Sequence, residues 1–292
     1  MSTSIGMVGG RMSDFRVMGV VNVTPDSFSD GGRYLESSAA IEHGLGLEAE
    51  GAAILDVGGE STRPGAEPVS AGVELRRVLP VIEGLVSAGT RAQISIDTSK
   101  ASVAAAALAA GATLVNDVTA FRGDPEMAAV VAREGADCCL MHMLGEPRTM
   151  QHDPHYADVV SEVKEFLAQR VAVALAAGMP EQRIILDPGI GFGKTCAHNL
   201  ELLHRLHELV AIGPAVMIGT SRKAFLGLLT ARETDRRLAG TIATNVLAYE
   251  RGARLFRVHD VAPVLDALKV TAATVRGPWA RTTPTSSTIS TT

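Results

Sequence analysis

Aromatic residues are scarce in this chain: Phe, Trp and Tyr make up only 4% of it, although 46% of its 292 residues are hydrophobic. The interior must then be built from Ala, Val, Leu and Ile, which suits buried parallel strands covered by Ala-rich helices. Cysteine is as sparse. Cys138, Cys139 and Cys196 form no Cys-x-x-Cys pair and no His/Cys cluster at zinc spacing, so neither a disulfide framework nor a structural zinc site is expected. Positive charge is also short: 27 Lys and Arg face 32 Asp and Glu, for a net charge of -5. That balance argues against a general binder of nucleic acid or of membrane surfaces, so any bound anion must be held by local geometry. No apolar run nears the roughly 18 residues of a membrane span, and the start lacks a basic stretch followed by an apolar block. The expectation is a soluble, cytoplasmic protein without nucleic-acid or membrane partners.

What the chain does contain is a regular alternation of short apolar runs and helical segments. Strands are expected at 15–23, 53–57, 93–97, 113–117, 138–142, 183–187 and 215–219, with an eighth opening at Leu255. Helices are expected at 36–50, from Ser70, and at 101–110, 125–134, 158–177 and 262–275. Eight such strands fit a single (β/α)8 TIM barrel better than an open doubly wound sheet, which more often stops at about five or six. The barrel would occupy residues 14–276, with 1–13 and 277–292 as flexible termini; the tail from Thr282 is almost entirely Thr and Ser.

A barrel gathers the C-terminal ends of its strands on one rim, where active sites of this architecture sit. Asn22, Asp97, Asn116, His142, Asp187, Lys223, Arg257 and His259 would converge there. A carboxylate at the end of an apolar run needs donors, which can be backbone groups or a ligand. Asp97, Asn116 and Asp187 together could read the amino and ring N–H edge of a pterin- or purine-like base, with Lys223 on its acceptors. Arg257 and His259 lie two apart and so share a face of an extended strand. They suit either a satisfied ion pair beside a helix-capping Asp260 or, with Asn22 and Arg63, a phosphate or diphosphate seat. Gly189-Ile-Gly-Phe-Gly193 resembles a phosphate cradle but lacks the Lys-Ser/Thr ending of a nucleotide loop.

Eight stretches, taken together and in order, are more specific. They are Met18-Gly-Val-Val-Asn-Val-Thr-Pro-Asp-Ser-Phe-Ser-Asp-Gly-Gly32, Asp56-Val-Gly-Gly-Glu-Ser-Thr-Arg-Pro-Gly65, Ser95-Ile-Asp-Thr-Ser-Lys100, Asn116-Asp117, Leu140-Met-His-Met143, Leu186-Asp-Pro-Gly-Ile-Gly-Phe-Gly-Lys194, Gly219-Thr-Ser-Arg-Lys-Ala-Phe-Leu-Gly227 and Arg257-Val-His-Asp-Val261. In this the chain strongly resembles the dihydropteroate synthase family. The resemblance implies a TIM barrel that condenses 6-hydroxymethyl-7,8-dihydropterin pyrophosphate with p-aminobenzoate in folate biosynthesis. It also implies a Mg²⁺ cofactor, a homodimer, and competition by sulfonamides at the p-aminobenzoate site. By that resemblance Asp97, Asn116, Asp187, Lys223, Met141 and Gly219 would hold the pterin. Asn22, Arg63, Arg257 and His259 would hold the pyrophosphate, with Asn22 also contacting Mg²⁺. Thr62, Pro64, Phe192 and Ser221 would surround p-aminobenzoate, and Lys223, Arg257, His259 and Asp97 would form the catalytic set. A pterin-dependent methyltransferase module would share the barrel and the pterin slot, but would lack the pyrophosphate cations and the Ser-Thr-Arg-Pro loop.

Overall fold

A computed structural model describes residues 7–8, 11–12, 14–23, 33–62 and 65–275. The Thr/Ser tail, the 24–32 loop, Arg63 and Pro64 lie outside the described residues. Within the stretch expected to fray, β1 (Met7–Val8) and β2 (Arg11–Met12) pair antiparallel. The barrel follows as β3 (Arg16–Asn22), α1 (Arg33–Ala49), β4 (Ile54–Gly58), α2 (Ala71–Ser87), β5 (Gln93–Asp97), α3 (Ala101–Ala109), β6 (Leu114–Asp117), α4 (Met127–Glu134), β7 (Asp137–Met141), α5 (Val159–Ala176) and β8 (Ile184–Asp187). It continues through α6 (Cys196–His204), α7 (Leu206–Val210), β9 (Ala215–Ile218), α8 (Ala224–Thr230), α9 (Leu238–Glu250), β10 (Leu255–Val258) and α10 (Val261–Val275). The eight strands β3 to β10 pair in parallel and close, β10 returning to β3, as the expected (β/α)8 barrel. Among the described residues no helix is long and apolar enough to cross a membrane.

Local chemistry sets the boundaries. Ser70 caps α2 by accepting from the Val73 amide, and Asp158 caps α5 by accepting from Val160 and Ser161. Thr195 and His198 form a reciprocal capping box at α6, with histidine in the place usually held by Glu or Gln. Each barrel strand is buried along most of its length, as strands covered on both faces must be.

Side-chain alternation stacks the barrel interior in layers. At the bottom Arg16 donates to Gln93 (2.9 Å), whose amide donates to Asp137 (2.8 Å). Above them Met18, Ile54, Leu114, Cys139, Ile185, Met217 and Leu255 make a dry plug. One inward position further along their strands stand Asp56, Asn116, Met141, Asp187, Gly219 and Arg257. Burial of the plug fixes which residues of the third layer face the axis. A one-residue slip would turn them all outward.

Candidate active site

Asp56 is the centre of the polar layer. It is fully buried, and its Oδ1 accepts from Ser95 Oγ (2.6 Å). Its Oδ2 accepts from Asn116 Nδ2 (3.0 Å) and from Arg257 Nε (2.6 Å). Arg257 Nη2 then donates to Asp97 Oδ2 (2.9 Å), so one guanidinium bridges two carboxylates from β4 and β5. The acceptor capacity of Asp56 is spent inside the protein. Asp97 keeps Oδ1, Asn116 keeps its carbonyl oxygen, and Asp187, whose Oδ1 takes the Gly189 amide (2.7 Å), keeps Oδ2. Three acceptors thus remain for the N–H edge of a planar base. Burial, aided by Asp56 and opposed by Arg257, lifts the Asp97 carboxyl to about 7. Burial likewise raises Asp187, against the Gly189 hydrogen bond and the charge of Lys223.

Lys223 faces these acids from the loop after β9, with Nζ 4.0 Å from the centroid of the Phe192 ring. Burial and then Arg257 pull its pKa down to about 8. Its neighbour Arg222 adopts a left-handed backbone (φ 58°), uncommon for a residue with a Cβ. That conformation is held by a forked pair to Asp260 and by the Arg222 amide donating to Thr241 Oγ1 (3.1 Å). The turn so fixed carries Ser221 on one side and Lys223 on the other. Ser221 Oγ lies 3.0 Å from His259 Nδ1 and accepts the His259 amide at 3.2 Å. In the tautomer where the serine hydroxyl donates to Nδ1, Nε2–H of His259 is left as a donor. Burial, with Arg257 and Arg222 nearby, lowers His259 to about 4, so the ring is neutral at pH 7.

A cavity of about 530 Å³ opens from Asp97 across the β4 to β7 loops, lined by Thr62, Ser99, Thr119, Arg122 and Arg148. Asn22 ends β3 half-buried, and its amide makes no hydrogen bond among the described residues. Among the described residues no three His, Cys, Asp or Glu side chains cluster as metal ligands. A divalent ion here would therefore draw its ligands from Asn22, water and substrate oxygens. Mg²⁺ keeps several waters and takes substrate phosphate oxygens, so a site with one protein oxygen, from Asn22, would fit it only with the diphosphate bound.

This barrel has close counterparts. A family model described as "Pterin binding enzyme" matches residues 18–259. The dihydropteroate synthase of Mycobacterium leprae (strain TN) is 48% identical over 269 residues, covering 90% of this chain and 94% of that protein. The chain belongs to the dihydropteroate synthase family. The structure of the Xanthomonas albilineans dihydropteroate synthase with 4-aminobenzoic acid superimposes with a TM-score of 0.85 at 51% identity, covering 90% of this chain and 94% of that one. The same enzyme in complex with 7,8-dihydropteroate gives 0.81 at 48% identity, with the same coverage.

Against the expectations for a dihydropteroate synthase, the structure gathers Asp97, Asn116, Asp187, Lys223, Met141 and Gly219 on the inner face of the rim, with Arg257 among them. It joins Ser221 to His259 and sets Phe192 against Lys223. Thr62 stands apart at the cavity wall, and Arg63 and Pro64 lie outside the described residues. One expectation is corrected: His142 does not face the slot. β7 ends at Met141, which points inward, so His142 points toward the helices, its ring edge-on to Phe166 (centroids 4.9 Å). Sequence reasoning also passed over Asp56. The available signal was its place in an otherwise apolar strand, in phase with Asp97 and Asn116.

Proposed function

We infer that this chain condenses 6-hydroxymethyl-7,8-dihydropterin pyrophosphate with p-aminobenzoate, giving 7,8-dihydropteroate and pyrophosphate. The observation that carries the reading is the Asp56–Arg257–Asp97 bridge. It ties Asp97, which would read a pterin, to the cation that would read its diphosphate, from β5 and β10, which β3 and β4 separate in the barrel. Asp97, Asn116 and Asp187 accept from the pterin N–H groups, and Lys223 donates to its ring acceptors, between Met141 and Gly219. Arg257 Nη1, which makes no hydrogen bond among the described residues, takes a phosphate oxygen together with the Nε2–H of His259, Asn22 and Arg63. Asn22 would hold Mg²⁺, which when bound would neutralise diphosphate charge and improve the leaving group. Thr62, Pro64, Phe192 and Ser221 hold p-aminobenzoate.

The hydrogen bond between Ser221 and His259 supports seats for p-aminobenzoate and the diphosphate side by side. The amine nitrogen can then meet the methylene carbon from which pyrophosphate departs. The C–N bond forms, the C–O bond breaks, and the amine sheds one proton. An arylamine is neutral at pH 7, so no strong base is required; Lys223, Arg257 and Asp97 act by placing charge and His259 by offering a hydrogen bond.

Exposed Leu228, Leu229, Leu247 and Val270 on α8, α9 and α10 support a homodimer formed through the later helices. The free thiols of Cys138, Cys139 and Cys196 support a cytoplasmic setting. The test is pyrophosphate release by the purified chain. Release that requires both Mg²⁺ and p-aminobenzoate, with one dihydropteroate formed per pyrophosphate, is expected. Release without p-aminobenzoate, or none at all, would overturn the reading.

A further inference from the structure

The turn after β8 presses directly on the chain after β7. A Cβ on Gly189 would lie 1.9 Å from the His142 carbonyl oxygen, and one on Gly193 would lie 2.6 Å from that of Leu144. Gly189, Gly191 and Gly193 all take positive φ, a conformation the turn sustains with few backbone hydrogen bonds of its own. Side chains supply the rest. Gln151 Nε2 donates to the Gly191 carbonyl (2.6 Å), Tyr156 OH to that of Gly193 (2.8 Å), and the Gly191 amide donates to Asn199 Oδ1 (2.7 Å).

The carbonyl between them, that of Phe192, is held by Lys194. Lysines are rarely buried unless paired with a carboxylate, yet Lys194 is 3% exposed and forms no ion pair among the described residues. Its Nζ meets three neutral acceptors instead: His142 Nδ1 (2.9 Å), the Phe192 carbonyl (3.0 Å) and the His142 carbonyl (3.4 Å). Three acceptors match the three N–H bonds of the ammonium form, in which the His142 proton sits on Nε2; burial lowers the Lys194 pKa to about 7. The Phe192 ring, so anchored, packs on Val118, Met141, Met143 and Met150 and lies under the Lys223 ammonium.

We propose that Lys194 is a positioning residue for the condensation, acting through His142 to set the turn that carries Phe192 beneath Lys223. It touches neither substrate. This rests on the p-aminobenzoate role given above to Phe192. A loosened turn would displace the p-aminobenzoate wall first, while the pterin acceptors, on β5, β6 and β8, stay in place.

The experiment compares Lys194→Met, His142→Leu and His142→Asn in the full chain with Mg²⁺. The readouts are steady-state kinetics, calorimetric affinity for 6-hydroxymethylpterin and melting temperature. Lys194→Met and His142→Leu are expected to raise KM for p-aminobenzoate at least tenfold and to lower kcat, with pterin affinity held within threefold. His142→Asn, whose amide oxygen replaces Nδ1 as acceptor, is expected to bring KM back to within threefold of the parent. Three results would overturn the proposal: KM unchanged in Lys194→Met, losses of p-aminobenzoate and pterin binding in parallel with melting temperature, or no difference between the two His142 variants. If Lys194→Met does not fold, the His142 pair carries the test. A parent protein that makes no dihydropteroate would instead refute the functional reading.

Discussion

Replacing Arg257 with Ala removes the cation between Asp56 and Asp97, and the structure sets both the size of the loss and its pH dependence. Two hydrogen bonds to carboxylates disappear, of 2.6 and 2.9 Å, from a guanidinium whose side chain is only 24% exposed. Breaking a buried pair by removing one partner costs about 3–5 kcal/mol, because the remaining charge is left without compensation. Asp97 can escape part of that cost by taking up a proton. Its pKa already stands near 7 in the parent and must rise further without Arg257. A carboxyl whose folded pKa exceeds its unfolded value binds extra protons in the folded state, so stability falls as pH rises toward the folded pKa. Below pH 7 both proteins hold the Asp97 proton and the penalty is smallest. Above pH 7 only the variant holds it, and the penalty grows by at most about 1.4 kcal/mol per pH unit. Urea unfolding of parent and variant at pH 6 and pH 8 reads this; Lys223, which Arg257 helps lower to about 8, adds to the difference in the same direction at the upper end. A loss under 1 kcal/mol, or one equal at both pH values, would refute the reasoning.

Other changes separate the parts of the site. Asp187→Asn removes an acceptor aimed at the slot while Asn can still accept the Gly189 amide, so calorimetric pterin affinity should fall by about 1.5–3 kcal/mol, or roughly 10- to 150-fold, with little change in stability. Unchanged affinity would remove Asp187 from the pterin slot. Chelation with EDTA should abolish turnover, reversibly on adding Mg²⁺, while leaving binding of a phosphate-free pterin intact; loss of that binding would place the ion at the wrong end of the site. Ser70→Ala should cost about 1 kcal/mol of stability and leave kinetics untouched, since Ser70 caps α2 and does not line the cavity.

How far the sequence could be read depended on the kind of signal. The barrel was legible because eight apolar runs each ended near a polar residue, and 93–97 was placed to the residue. The phase within a strand was less secure. Ending β7 one residue late turned His142 inward on paper, whereas the dry plug containing Cys139 sends Met141 inward and His142 outward. Asp56 was overlooked because a carboxylate in the middle of a fully buried strand has no visible partner until closure brings Arg257 across from β10. The role of Asn116 narrowed for the same reason, one of its donors being committed to Asp56. Lys194 carried no signal beyond its place at the end of the 186–194 stretch. Its acceptors are backbone carbonyls and a histidine 52 positions away, which only the interlocked turns make adjacent. The helices α6 to α9 went undelimited because the capping box at Thr195 uses histidine and α7 and α8 are too short to show a clear period.

On the proposed reading one pocket holds the pterin and its diphosphate, with Arg257 at their junction. A crystal structure of this chain with bound pterin pyrophosphate tests it most directly. The expected result has the ring edge on Asp97, Asn116 and Asp187, and the phosphates on Arg257, His259 and Asn22. Phosphates turned the other way, into the cavity toward Arg122 and Arg148, would contradict it.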